Sequence, residues 1–240
     1  MKTTDDQTFL VSLENVSVGD HTFKIQAMDQ AGNELDDVLE IDFEVSDRDP
    51  FERRLNPGWN LVSLPGEPSD GAIGSVFGSG VEVRTVYTYD PVVPGGWMVA
   101  VRETLDSDWQ GDLMEINGQQ GYWVLSDAIQ DWEVNIPRLA GGAAGTGTPI
   151  QPPSIPLYAG WNLIPVTDVT GNSLDGGATI SANAYLQGLN DGIEAARVLG
   201  FNTIKNEWST IDAENTSSTL MIGSGYWVFV REATILVPGQ

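Results

Sequence analysis

Residues 39–45 read Leu39-Glu40-Ile41-Asp42-Phe43-Glu44-Val45, four apolar side chains alternating with three acids. A period of two is the mark of a half-buried strand. Residues 21–27 alternate too, with Phe23 and Ile25 on one face and Thr22, Lys24 and Gln26 on the other. Residues 8–13 form a short apolar run, and 29–33 read as a turn. Beyond Pro50 the apolar runs stay short, rich in β-branched and aromatic residues, and are closed by Gly, Pro or Asp. They predict strands at 59–64, 81–89, 97–101, 113–116, 122–125 and 132–136, then at 161–166, 196–201, 207–211, 220–222, 226–230 and 234–237. Helical spacing is confined to two places. Asp70 is positioned to cap a turn that carries Ile73, Val76 and Phe77 inward, and Ser181 to cap a short helix over 181–189.

One pattern occurs twice. Gly58-Trp59-Asn60-Leu61 opens a segment that closes with Gly121-Tyr122-Trp123-Val124; Gly160-Trp161-Asn162-Leu163 opens another that closes with Gly225-Tyr226-Trp227-Val228. Tyr122 follows Trp59 by 63 positions and Tyr226 follows Trp161 by 65. Two motifs in the same order at matched spacing predict a duplicated folding unit. Trp208 is the expected counterpart of Trp97. The predicted layout is a partial sandwich over 1–48, a first repeat over 49–138, a Gly/Pro linker over 139–156 and a second repeat over 157–240. The fold class is mainly β, each repeat being a small barrel or sandwich with one short helix.

The tryptophans divide by setting. Trp59, Trp123, Trp161 and Trp227 sit inside strands with apolar neighbours and read as core anchors; the alternative is a sugar-stacking platform. A buried ring removes about 150–250 Å² from water, roughly 4–6 kcal/mol before entropy. Trp97, Trp109, Trp132 and Trp208 have more polar neighbours and are the better candidates for a ligand platform.

Residues Val18-Gly19-Asp20-His21-Thr22-Phe23-Lys24-Ile25-Gln26-Ala27-Met28-Asp29, followed by Ala31-Gly32-Asn33, resemble the C-terminal half of a bacterial immunoglobulin-like domain. A whole domain of that kind needs about 100 residues. The resemblance therefore implies a piece of something larger, with an apolar face to be covered by the next domain or another chain. The run Gly58 to Pro65, then Val86, Thr88-Tyr89-Asp90-Pro91, Trp97 and Gly121-Tyr122-Trp123-Val124, resembles a repeat of large secreted or cell-surface bacterial and archaeal proteins, S-layer-like ones included. The second copy departs at Pro165-Val166 and at Gly200-Phe201-Asn202. This resemblance implies an extracellular, non-catalytic architectural module and supplies no catalytic residue.

Composition narrows the partners. Of 240 residues, 34 are acidic and 11 are Lys or Arg, a formal charge of −23. That field repels nucleic acid and anionic membranes. It reads as a charged, soluble surface, or as one adapted to salt or to cations. The absence of Cys removes disulfides, thiolate metal sites and cysteine nucleophiles. No apolar run reaches membrane-span length, and residues 1–6 do not read as a signal peptide.

Candidate chemistry is sparse. His21 is the single histidine, so a multi-histidine metal site cannot form, and its strand setting reads as structural. No phosphate-binding or nucleophile-elbow motif occurs. Paired acids are many, but none is singled out as a glycosidase dyad. Asp106, Asp108, Gln110 and Asp112 resemble the first half of a calcium loop, with Gly111 at the sixth position and Asn117 in place of the usual Glu at the twelfth. Asp29, Asn33, Glu34, Asp36 and Asp37 form a second acidic loop. The alternative for both is a solvated turn. Asn15 and Asn215 match the N-glycosylation pattern. The expected function is a non-catalytic structural or adhesive module of a secreted or cell-surface protein, bound to neighbouring domains or chains. The alternative is a carbohydrate-binding accessory region of a secreted enzyme, with glycans as partners.

Overall fold

The computed structural model describes residues 19–25, 39–45, 48–137, 154–168, 177–189 and 197–239. The chain divides into two compact units, Met1–Asp47 and Arg48–Gln240. In the first, β1 (Gly19–Ile25) and β2 (Leu39–Val45) form an antiparallel pair that matches Phe23 with Ile41. Lys24 forms a 2.5 Å ion pair with Glu40 across it. Residues 8–13, the acidic loop 29–37 and the Phe23 and Ile25 side chains lie outside the described residues.

The second unit is mainly β, built from antiparallel sheets that do not close into a barrel. Its first half contains β3 (Arg48–Leu55), β4 (Gly58–Ser63), helix α1 (Ile73–Val76), β5 (Val83–Tyr89), β6 (Trp97–Val101), β7 (Gln110–Gly111), β8 (Gly121–Ser126) and β9 (Gln130–Pro137). The second half contains β10 (Ile155–Leu157), β11 (Gly160–Ile164), β12 (Thr179–Ser181), helix α2 (Ala182–Leu186), β13 (Arg197–Asn202), β14 (Glu207–Ile211), β15 (Thr219–Met221), β16 (Tyr226–Val230) and β17 (Thr234–Leu236). Strand order is β4-β8-β5-β6-β7 in one main sheet and β11-β16-β13-β14 in the other. The pairs β3-β9 and β10-β17 also correspond. The duplication is thus one of topology as well as of motif.

Each repeat has its own core, which the flanking pair and the helix close against the inner face of the sheet. In the first, Phe51, Leu55, Val62, Phe77, Val86, Val124 and Trp132 are buried together. In the second, Leu157, Ile164, Tyr185, Val198, Val228 and Leu236 are. Helix α2 starts where expected, Ser181 Oγ accepting from the Ala184 N–H. Helix α1 differs: its N-cap is Ala72, without a side-chain cap, and Asp70 instead braces the preceding turn by accepting from the Ala72 N–H (3.0 Å) and the Ser75 hydroxyl (2.6 Å).

Several expectations change. No strand forms at 113–116, where Glu115 makes an isolated bridge to Ala72. Residues 48–55, where no strand is predicted, form β3, in which Phe51 and Leu55 point inward while Glu52 and Arg54 face solvent. The linker end gives up residues 155–156 to β10, where Ile155 is buried. Both repeats fall within the compact unit Arg48–Gln240.

The recurring motif residues have defined tasks. Gly58 and Gly160 adopt φ of 96° and 107°, a region that a side chain disfavours. The buried amide that follows pins the turn. Asn60 accepts from the Asn56 N–H (3.0 Å) and donates to the carbonyls of Asn56 (2.8 Å) and Gly58 (3.0 Å). Asn162 repeats this with Tyr158 (2.8 and 2.8 Å) and Gly160 (3.1 Å). The closing tyrosines are pins as well: Tyr122 Oη accepts from the Asn117 N–H at 2.8 Å, and Tyr226 Oη from the Met221 N–H at 3.0 Å.

Candidate binding face

The alternation that sends Asn60, Val62 and Leu64 inward sends Trp59 outward, and in β8 it sends Tyr122 and Val124 inward and Trp123 outward. The outer faces of the two sheets therefore carry rings. Across β5 and β6, Tyr89 pairs with Trp97; at the matching place across β13 and β14, Phe201 pairs with Trp208. Trp59 meets Trp123 edge-on at 6.4 Å and 87°, and Trp161 meets Trp227 with the same values.

The two outer faces join into one. Trp123 lies 4.9 Å from Phe201 and 5.6 Å from Trp208 of the second repeat. Reciprocally, Trp227 lies 5.1 Å from Tyr89 and 5.7 Å from Trp97 of the first. Glycine allows the approach. A Cβ on Gly121 would come within 3.0 Å of the Ile164 carbonyl and the Leu163 side chain, and one on Gly225 within 3.0 Å of the Val62 carbonyl. Leu61 and Leu163, on the outer faces, are buried by this contact. Ser63 locks one side, its hydroxyl donating to the Ser224 carbonyl (2.9 Å) and accepting from the Val166 N–H (3.1 Å). The matching position is Pro165, which can make neither bond.

Two shallow troughs run over the rings. One, of about 700 Å³, is lined by Trp59, Tyr87, Trp97, Trp123, Phe201, Asn206 and Trp208. The other, of about 520 Å³, shares Trp97, Trp123 and Trp208 with it. Among the described residues no charged side chain lines either, and Asn206 is the amide in the first. Trp59, Trp97 and Trp208 remain 36%, 46% and 52% exposed. Their mostly edge-to-face contacts fix the ring planes before anything binds.

The sequence expectations for tryptophan are partly reversed. Trp97 and Trp208 stand on the exposed face, as a platform requires. Trp59, Trp123, Trp161 and Trp227, expected as core anchors, belong to neither core and line the same outer face. Apolar neighbours misled here because both faces of these sheets are apolar. Trp132, expected as a platform residue, is fully buried, stacked on Phe77 at 4.9 Å with its indole N–H donating to the Val76 carbonyl (2.9 Å). Its polar neighbours Asp131 and Glu133 point the other way along β9. Trp109 also leaves the platform. It packs beside Phe77 at 6.4 Å under the Arg102 guanidinium, 4.7 Å from its ring centre.

Arg102 ties down the loop expected to hold calcium. It donates to the carbonyls of Val83, Leu105, Gly78 and Val81. Burial pushes its pKa down, and the nearby Asp106 charge pushes it up. Gln110 belongs to β7, and Asp112 accepts from the Val99 N–H at 2.7 Å. Asp106, Asp108, Gln110 and Asp112 thus flank an edge strand. Among the described residues no three His, Cys, Asp or Glu side chains are grouped to hold a metal ion. No helix among them is long and apolar enough to cross a membrane. Asn215 is exposed and holds a turn by accepting from the Ser217 N–H at 2.9 Å. Compared with known proteins, the chain matches no family model, no curated protein and no solved structure.

Proposed function

We propose that this chain is a non-catalytic adhesive module of a secreted or cell-surface protein, and that it attaches to neutral polysaccharide through its ring face. The observation that carries the reading is that, among the described residues, both troughs have an uncharged lining in a chain of formal charge −23. A contiguous exposed apolar patch marks an interaction surface. The electron-rich faces of tryptophan suit the C–H faces of pyranose rings, and a lining without charges selects a ligand without them. The same observation supports the alternative of an accessory region that holds an enzyme on such a polymer.

The test is depletion of the intact protein from solution by microcrystalline cellulose, chitin and insoluble starch. At least one polymer should retain the protein, and Trp97→Ala and Trp208→Ala should each cut retention several-fold. Absence of retention on all three, or full retention of the double variant, defeats the reading.

A further inference from the structure

The docking of the repeats creates two matching clefts. One, of about 600 Å³, is lined by Arg53, Arg54, Asn202 and Thr203 among others. The second, of about 190 Å³, has Ile155, Pro156, Asp90 and Pro91 in the corresponding places, counted from the motif tryptophans and the paired strands. The chain has 34 acids and 11 Lys or Arg, yet among the described residues the larger cleft is lined by two arginines and no carboxylate.

Arg53 is half-buried. Its guanidinium donates to the Met221 sulfur (3.1 Å), the Ile222 carbonyl (3.4 Å) and the Ser224 hydroxyl (2.8 Å), all neutral acceptors. Among the described residues it has no ion-pair partner, whereas the exposed Arg54 has Asp131 at 3.8 Å. Desolvation lowers the pKa of Arg53, so its charge is held at a cost. Docking does not require that charge, because the matching cleft docks with Ile155 and Pro156 instead. A cation retained in a cleft, short of water and with no carboxylate beside it among the described residues, is suited to an anion from solution.

We propose that the larger cleft binds a small hydroxylated carboxylate of the hexuronic acid class, with Arg53 taking the carboxylate. Asn202, Thr203 and Ser209 offer amide and hydroxyl partners for sugar hydroxyls, and Phe201 supplies an apolar wall. Phe201 also lines the ring trough, so an acidic sugar here would sit beside a glycan on the rings. The site stands independently of the neutral-polysaccharide reading.

The experiment is titration calorimetry of the whole chain with D-glucuronate, D-glucose and acetate in low-salt buffer. Glucuronate should bind at least about tenfold more tightly than either of the other two. Arg53→Gln should weaken glucuronate at least about tenfold and Arg54→Gln much less. Since Arg53 also contacts Ser224, a second variant guards against misfolding. Asn202→Asp, at an exposed position, installs the acid of the matching cleft and keeps an acceptor for the Lys205 N–H (3.0 Å); it should abolish binding. Equal affinity for glucose or acetate, no binding of glucuronate, or unchanged binding by Asn202→Asp overturns the proposal.

Discussion

Trp123 and Trp227 occupy the same position in the two repeats, and each packs on a pair of touching rings of the other: Trp123 on Phe201 and Trp208, Trp227 on Tyr89 and Trp97. The exchange is reciprocal, as at an interface between two identical subunits. Here both partners lie on one chain. The pair that docks the halves is also part of the exposed face.

Burial predicts a reversal of roles among the tryptophans. Trp132→Ala should lower unfolding free energy by about 3–5 kcal/mol, the cost of emptying a core ring site. Trp208→Ala should cost less than about 1 kcal/mol. Urea denaturation of the two variants checks this, and comparable losses would contradict the assignment of faces.

The amide pins should matter equally in both copies. Asn60→Ala and Asn162→Ala each strand a buried N–H and two carbonyls, at about 1–3 kcal/mol apiece. The measurement is chemical denaturation of the single variants. A change under about 0.5 kcal/mol in either would mean that the glycine alone sets the turn.

Close approach at the closing glycines predicts matched losses too. Gly121→Ala and Gly225→Ala place a methyl group against the opposite repeat's backbone carbonyl, costing about 1–3 kcal/mol through forced separation. Gly58→Ala tests a different cause, since nothing lies near its Cβ and the penalty comes from φ alone. Thermal melts together with near-ultraviolet circular dichroism separate the two, because only the Gly121 and Gly225 variants should alter the signal of the interleaved rings.

The buried tyrosines set an alkaline limit. Burial pushes Tyr185 up to about 12 from an ordinary value of 10.0, and raises Tyr122 as well. A pKa raised in the folded state gives stability that is complete below pH 10 and is lost as pH climbs from 10 toward 12. For Tyr185 the loss amounts to roughly 2–3 kcal/mol. Its hydroxyl accepts from the Thr167 N–H (3.1 Å) and donates to the Pro165 carbonyl (3.1 Å), so Tyr185→Phe should be less stable at neutral pH yet flatter across that window. Unfolding free energies at pH 7, 10 and 11 test the sign.

The sequence disclosed the duplicated unit, most strands and the Ser181 cap of α2, because those rest on local periodicity and capping. Trp97 and Trp208 were legible as surface rings from their polar neighbours, a criterion that failed for the buried Trp132. What stayed hidden depended on contacts distant in sequence. Nothing local in Arg48–Leu55 marks it as a strand, since its partner is β9. Asn60 and Asn162 looked like incidental polar residues, although a polar residue at an inward position of a strand is itself a signal. The outward direction of Trp59 and Trp123 could have been read by counting alternate positions from Val62 and Val124. Their join with the second repeat could not, because it depends on how the sheets meet.

Because each half supplies rings to the other's surface, the joint ring face exists only while the halves stay together. A polymer lying across it would touch both and oppose their separation, since whatever binds only the assembled form stabilises that form. Under tension, grip and integrity would then be lost in one event. A tether made this way would hold until it breaks and release its load completely when it does.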